Sequence, residues 1–195
     1  TYRDAIFALS NTFNLIAQNF DIDGYSAIEK SNKNYSRSNI PSPGFVAGPC
    51  LEKDAYILAS RIPSEDLKDF ILNIRKANES LEERVAEKIE QLIKLHPKSK
   101  ILISGLAFKG IPQTNDLRGS SGIKILNKLT KYKDNIVVHD FMNNKDTLTK
   151  LSGFRSIDQE DIFKNFDYEF IIVLNNHPRY KSQKVSELIN KKILN

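Results

Sequence analysis

Three short apolar runs separated by helical patterns constrain the second half of this chain more than any other feature. Lys100–Phe108 (KILISGLAF), Asn135–Asp140 (NIVVHD) and Tyr168–Leu174 (YEFIIVL) are rich in Ile and Val and bounded by charged residues or glycine. Such runs read as strands buried on both faces. Gly122–Tyr132 has helical spacing, and Thr147–Leu151 and the region around Ile157–Phe163 precede the third run. Ser182–Ile193 reads as a closing helix. Strands alternating with helices predict a doubly wound, Rossmann-like α/β domain with a parallel sheet, whose ligands sit outside the carboxyl ends of the strands. Asp140 and the Asn175-Asn176-His177 turn fall on that edge, His177 as either a ligand contact or a structural turn residue.

The first half has a different period. Ile6, Leu9, Phe13, Ile16, Ala17 and Phe20 recur at three and four residues, which predicts an amphipathic helix over Thr1–Phe20. Ile22–Lys33 reads as a second helix, capped by Asp23, with Tyr25 and Ile28 facing inward. The polar, proline-bearing NKNYSRSNIPSPG must be a loop. Leu51–Ile62 is helical up to Pro63, and Ser64–His96 carries one long stripe from Leu67, Phe70, Ile71 and Ile74 through Leu81, Val85, Ile89, Leu92 and Ile93. At ~1.5 Å per residue that helix spans roughly 50 Å, longer than one small domain, so it should bridge domains or line a subunit interface. The expected organisation is an all-α domain over 1–97 joined by this helix to an α/β domain over 98–195. The first residue already lies inside a helical pattern, so the sequence reads as part of a longer chain.

Charge and composition exclude several classes. With 29 basic and 24 acidic residues the formal net charge is +5, but the lysines are scattered among acids and not interleaved with aromatics. A nucleic-acid platform is therefore not expected, and the balance suits a diphosphate ligand equally well. No apolar run has membrane length, the N-terminus lacks a signal-peptide pattern, and no metal-ligand spacing occurs. The single cysteine cannot form an internal disulfide, which fits a reducing, cytoplasmic setting.

That cysteine lies in PSPGFVAGPCLEKDAYIL, on a bent backbone rich in glycine and proline. A lone cysteine is ordinarily a small buried hydrophobe. If Leu51 begins a helix, however, Cys50 stands at its entrance, where unpaired N–H groups and the helix dipole favour a thiolate nucleophile. The small residues between Gly44 and Gly48 would let a ligand approach the backbone, beside Phe45.

The stretch resembles the catalytic-cysteine motif of the nucleotide-sugar 6-dehydrogenases, G-x-G-G-x-C-x-x-K-D. Gly44, Gly48, Cys50, Lys53 and Asp54 match it, and Ala47 takes a glycine position. The opening TYRDAIFALSNTF is similar to the start of that family's central helical domain, with Asn11 matching. Phe108-Lys109, Thr114–Arg118 and Ser120 resemble its F-K-x-x-T-D-D-x-R-x-S element, and a lysine and an arginine at a strand end before a helix make an anion cradle. The resemblance implies oxidation of the C6 hydroxyl of a UDP-hexose, either UDP-glucose or a UDP-N-acetylhexosamine, to the uronate. Cys50 would be the nucleophile with Lys53 and Asp54 assisting. Arg37, Phe45, Gly48, Phe108 and Lys109 would contact substrate, Arg37 across a homodimer formed by the central helices, and Arg118 would lie near NAD. No G-x-G-x-x-G follows a strand here, so NAD would be held mainly by a domain outside this sequence, and the chain alone should not turn over. A non-catalytic, dimerising nucleotide-binding module stays open as the other reading.

Overall fold

The computed structural model describes residues 1–163 and 168–182; the expected helix over Ser182–Ile193 lies outside them. The chain divides into two compact units, Thr1–Glu83 and Arg84–Asn195. The first is helical, with α1 (Tyr2–Gln18), α2 (Gly24–Asn32), α3 (Leu51–Ala59) and the start of α4 (Glu65–Leu95). The second holds the end of α4, then β1 (Ile101–Ser104), α5 (Ser121–Lys128), β2 (Ile136–His139), α6 (Lys145–Ser152), β3 (Arg155–Ser156) and β4 (Phe170–Val173). The fold is thus mixed α/β. The division falls inside α4, a single helix of 31 residues.

The helical unit inverts the amphipathic expectation. On α1 the buried residues are Asp4, Ala8, Ser10 and Asn11, while Leu9, Phe13 and Ile16 are exposed, as is Phe20 just beyond its end. Leu67 and Phe70 at the start of α4 are exposed as well, and the buried positions that follow are Arg75, Asn78 and Glu82. The cause is the segment 40–50, which has no regular structure and so must satisfy its backbone polar groups elsewhere. Side chains supply the partners. Asn32 brackets Ile40, donating to its carbonyl at 2.8 Å and accepting from its N–H at 3.0 Å. Ser10 Oγ donates to the Pro41 carbonyl, and Tyr25 Oη to that of Pro43 at 3.0 Å. The Tyr25 ring is exposed, contrary to its expected inward position; only the hydroxyl reaches the loop.

In the second unit all strands are parallel in the order β3-β2-β1-β4. The central β1 and β2 are buried throughout, as their unbroken Ile, Leu and Val runs require, while β3 and β4 form the edges. Leu102, Val137, Phe141 and Ile162 form a core cluster with Ile157, Tyr168, Ile171 and Tyr180 against it. The apolar run KILISGLAF yields only four strand residues, because Gly105 adopts φ +87 and turns the chain against Asn175. The two-residue strand β3 is too short to carry a period and was not expected from the sequence.

A buried polar chain crosses the sheet end. Among the described residues His139 Nε2 bonds the Gln159 carbonyl, at 3.0 Å, so it carries the proton and Nδ1 accepts from Ser104 Oγ at 2.7 Å. Ser104 in turn accepts from Tyr180 Oη at 2.5 Å. Burial lowers the pKa of His139 and of His177 and raises that of Tyr180. Both histidines are therefore held neutral in the fold, and the unfolded chain takes up their protons below the ordinary value of 6.5. Glu90, held to about 2 mainly by Lys131, and Asp116, held to about 2 by Arg118, lose their contributions only at more acid pH. The melting temperature should accordingly fall between pH 7 and pH 5. The double variant His139→Asn/His177→Asn should flatten that fall in differential scanning calorimetry, and an unchanged slope would disprove the assignment.

Candidate active site

Cys50 is the N-cap residue of α3 and is exposed, so it is not the small buried hydrophobe of the bland reading. Its carbonyl accepts from the Asp54 N–H at 3.0 Å, which starts the helix. Just before it, Gly48 has φ 109, a left-handed conformation open to glycine, and its carbonyl accepts from Glu52 N–H. Lys53 and Asp54 pair with each other at 2.9 Å, and both are substantially solvated. Phe45 is half-buried and Gly48 buried. Counted back from Cys50, the motif's first glycine position falls on Phe45, with Gly44 preceding it.

Four buried polar residues hold this loop. Asn11 grips Gly44 like a neighbouring strand, its Nδ2 donating to the Gly44 carbonyl at 2.9 Å and its Oδ1 accepting from the Gly44 N–H at 2.8 Å. Asn78 Nδ2 donates to Asp4 Oδ1 at 2.6 Å and to the Asp4 carbonyl at 2.9 Å, and Asn78 Oδ1 accepts from Asn11 at 3.1 Å. Arg75, only 1% exposed, bonds Asp4 Oδ1 at 3.0 Å and the carbonyls of Val46 and Leu51 at 3.3 and 3.2 Å. Sequence reasoning missed Asp4, Arg75 and Asn78. For Arg75 and Asn78 the signal was the lapse in the α4 stripe between Ile74 and Leu81, where these polar residues stand three apart on the same helix. A Cβ placed on Gly44 would meet nothing within 4 Å, so neither packing nor φ demands glycine there, and the space beside the loop is open. Arg37 lies elsewhere in the loop, exposed, with its guanidinium 5.2 Å from the Tyr35 ring centroid.

In the second unit the parallel register aligns Ser104 with His139 and with Val173, so the three strand ends meet at one edge. Asp140 is buried and fully employed, accepting from Ala107 N–H, Met142 N–H and the Asn143 amide. Asn175 Nδ2 donates to the Ala107 carbonyl and Asn176 Oδ1 accepts from Gly110 N–H, while a Cβ on Gly110 would collide with the His177 backbone. His177 Nδ1 accepts from the Arg179 N–H, and its buried Nε2 has no hydrogen-bond partner among the described residues. These contacts fix the loop that carries Phe108 and Lys109, whose ammonium lies 5.1 Å from the Phe108 ring centroid. The expected cradle differs in two respects. Arg118 forks onto Asp116 through Nε–Oδ1 at 3.0 Å and Nη2–Oδ2 at 2.8 Å. At the start of α5, Ser120 Oγ already accepts from the N–H groups of Gly122 and Ile123, leaving fewer for an anion.

The turn after β1 begins at Gly105, where a Cβ would lie 2.8 Å from Asn175 Oδ1, so the Asn175 side chain packs directly against this turn. Among the described residues no group of His, Cys, Asp and Glu is fit to hold a metal ion, and no helix is long and apolar enough to cross a membrane.

Residues 102–194 match the UDP binding domain of the UDP-glucose/GDP-mannose dehydrogenase family. A UDP-N-acetyl-D-mannosamine dehydrogenase from Methanocaldococcus jannaschii is 31% identical over 97% of this chain and 41% of its own length. The solved UDP-D-ManNAc dehydrogenase from Pyrococcus horikoshii superposes with a TM-score of 0.76 at 25% identity, covering 98% of this chain and 43% of that one. A UDP-N-acetyl-mannosamine dehydrogenase from Staphylococcus aureus gives 0.73 at 27% identity, covering 93% and 41%. The chain thus spans about two-fifths of the length of the relatives it matches. By sequence and by fold, the chain belongs to the UDP-glucose/GDP-mannose dehydrogenase family, with the family's UDP binding domain in residues 102–194.

Proposed function

We propose that this chain is the thiol-bearing and UDP-binding part of an NAD-dependent nucleotide-sugar 6-dehydrogenase. The enzyme would oxidise the C6 hydroxyl of a UDP-hexose to the uronate in the reducing cytoplasm. The names of the relatives favour a UDP-N-acetylhexosamine, with UDP-glucose the other candidate. The observation that carries the reading is an exposed Cys50 at the entrance of α3, on a loop fixed by buried side chains. In this reading Phe108 and Lys109 contact the nucleotide, Cys50 is the thiol, and Phe45, Gly48 and Arg37 contact substrate. NAD, held mainly by residues outside this chain, would supply the hydride acceptor when bound, and Arg118 is the residue of this chain that would lie near it.

The chain's own chemistry is capture and release. The Cys50 thiolate adds to the C6 aldehyde carbon, the carbonyl electron pair moves to oxygen, and a proton completes the thiohemiacetal. Holding the aldehyde covalently lets one site perform two oxidations without losing the intermediate. After the second oxidation the carbon is a thioester. Water then adds, the C–S bond breaks, the thiolate leaves and the carboxylate is released. Asp54, one turn along α3 and paired with Lys53 at 2.9 Å, orients that water.

The exposed face of α1, with Leu9, Phe13 and Ile16, together with Phe20 just beyond the helix, is the surface through which two copies associate. Phe13→Glu combined with Phe20→Glu should shift the sedimentation profile to monomer without changing helix content, and a profile unchanged by the pair would remove this dimer surface. In the complete enzyme, Cys50→Ser should abolish uronate formation while leaving UDP-sugar binding within about twofold; acid production by that variant would eliminate the nucleophile. Calorimetric titration of UDP into this chain should show binding that Lys109→Ala weakens about tenfold, roughly 1.4 kcal/mol. UDP binding by a protein whose Cys50 is dispensable would instead favour the non-catalytic module.

A further inference from the structure

Resting on the dehydrogenase reading, we infer that Arg75 is a positioning residue for Cys50. Its guanidinium binds the chain on both sides of the thiol, through the Val46 carbonyl ahead of it at 3.3 Å and the Leu51 carbonyl immediately after it at 3.2 Å. The Val46 carbonyl precedes the left-handed Gly48, and the Leu51 carbonyl belongs to the first residue of α3. One rigid, planar group therefore sets the angle at which the loop enters the helix, and the N-cap position of Cys50 follows from it. A lysine, with one donor centre, could not span both carbonyls in this way.

The guanidinium is itself fixed. Nη1 bonds Asp4 Oδ1 at 3.0 Å, Nε lies 3.2 Å from Glu79 Oε1, and Asn78 holds Asp4 from the other side. Asn11 joins the same network and clamps Gly44, so the loop is pinned before, within and after its bend. Such a network is a poor choice for stability alone. Asp4 Oδ2 is buried without a hydrogen-bond partner among the described residues, and buried charges are commonly replaceable by apolar groups at no loss. Its value lies in geometry, because a nucleophile displaced by ~1 Å can lose about a hundredfold in rate.

The test uses Arg75→Lys and Arg75→Ala in the complete enzyme, with amide hydrogen exchange measured in parallel. Arg75→Lys should lower kcat about tenfold and Arg75→Ala about a hundredfold, with KM for the UDP-sugar within about twofold. Exchange should quicken across 44–54 and remain unchanged in α2, a local signature that general destabilisation would not give. If either arginine variant fails to fold, Asp4→Asn, which keeps an oxygen facing Arg75, should give the same pattern more weakly. Unchanged exchange at 44–54, or unchanged kcat in a folded variant, overturns the assignment. A parent enzyme without uronate activity would refute the dehydrogenase reading instead, and the exchange data would still decide whether Arg75 sets the loop.

Discussion

A buried ion pair between Asp4 on α1 and Arg75 on α4 is the contact on which the helical unit depends. Its side chains are each 1% exposed, so neither charge can be solvated if the other is lost, and removing one partner of such a pair typically costs about 3–5 kcal/mol. The pair does more than join two helices. It occupies the space where an apolar core would ordinarily sit, and the backbone of an irregular loop uses it as a template. Residues 40–50 obtain order from side chains of α1, α2 and α4, since they have no ladder of their own.

The second unit reaches the same end by an ordinary route. Parallel pairing of β1 with β2 and β4 brings three strand ends together, and Asp140, Asn175 and Asn176 tie the loops that leave them. There the sheet does the positioning, and polar side chains only lock the exits. In the helical unit polar side chains carry the whole burden. Both solutions fix an irregular loop on a rigid support, which such loops need because they cannot order themselves.

The sequence was legible where periodicity and burial agree. The central strands were readable from KILIS and NIVVH because they have no polar face, and α4 from Glu65 to Leu95 was readable from its length and apolar spacing. FIIV was readable as a strand too, but β4 is a half-buried edge strand with Val173 exposed, not buried on both faces as its apolar run suggested. Asp23 as a cap and Cys50 at a helix entrance followed from local chemistry. The interior of the helical unit was not legible. Hydrophobic periodicity assigns Leu9, Phe13, Leu67 and Phe70 to a core, whereas the monomer exposes them and buries Asp4, Asn11, Arg75 and Asn78. Periodicity reports that a face is apolar, not whether this chain or another surface covers it. Arg118 was read as free to meet a ligand, and the nearby Asp116 that engages it was not weighed as its partner.

The reversed polarity of α1 has a consequence for how this protein tolerates change. Substitutions judged by hydropathy alone would be ranked in the wrong order on this helix. Replacing Asp4 or Asn11 with leucine looks like core improvement and would strand Arg75 and the amide of Gly44, whereas a polar residue at Ile16 would leave the monomer's interior untouched. Natural drift along α1 should therefore be governed by two separate pressures, conserving small polar groups on one side and permitting greasy residues to exchange freely on the other.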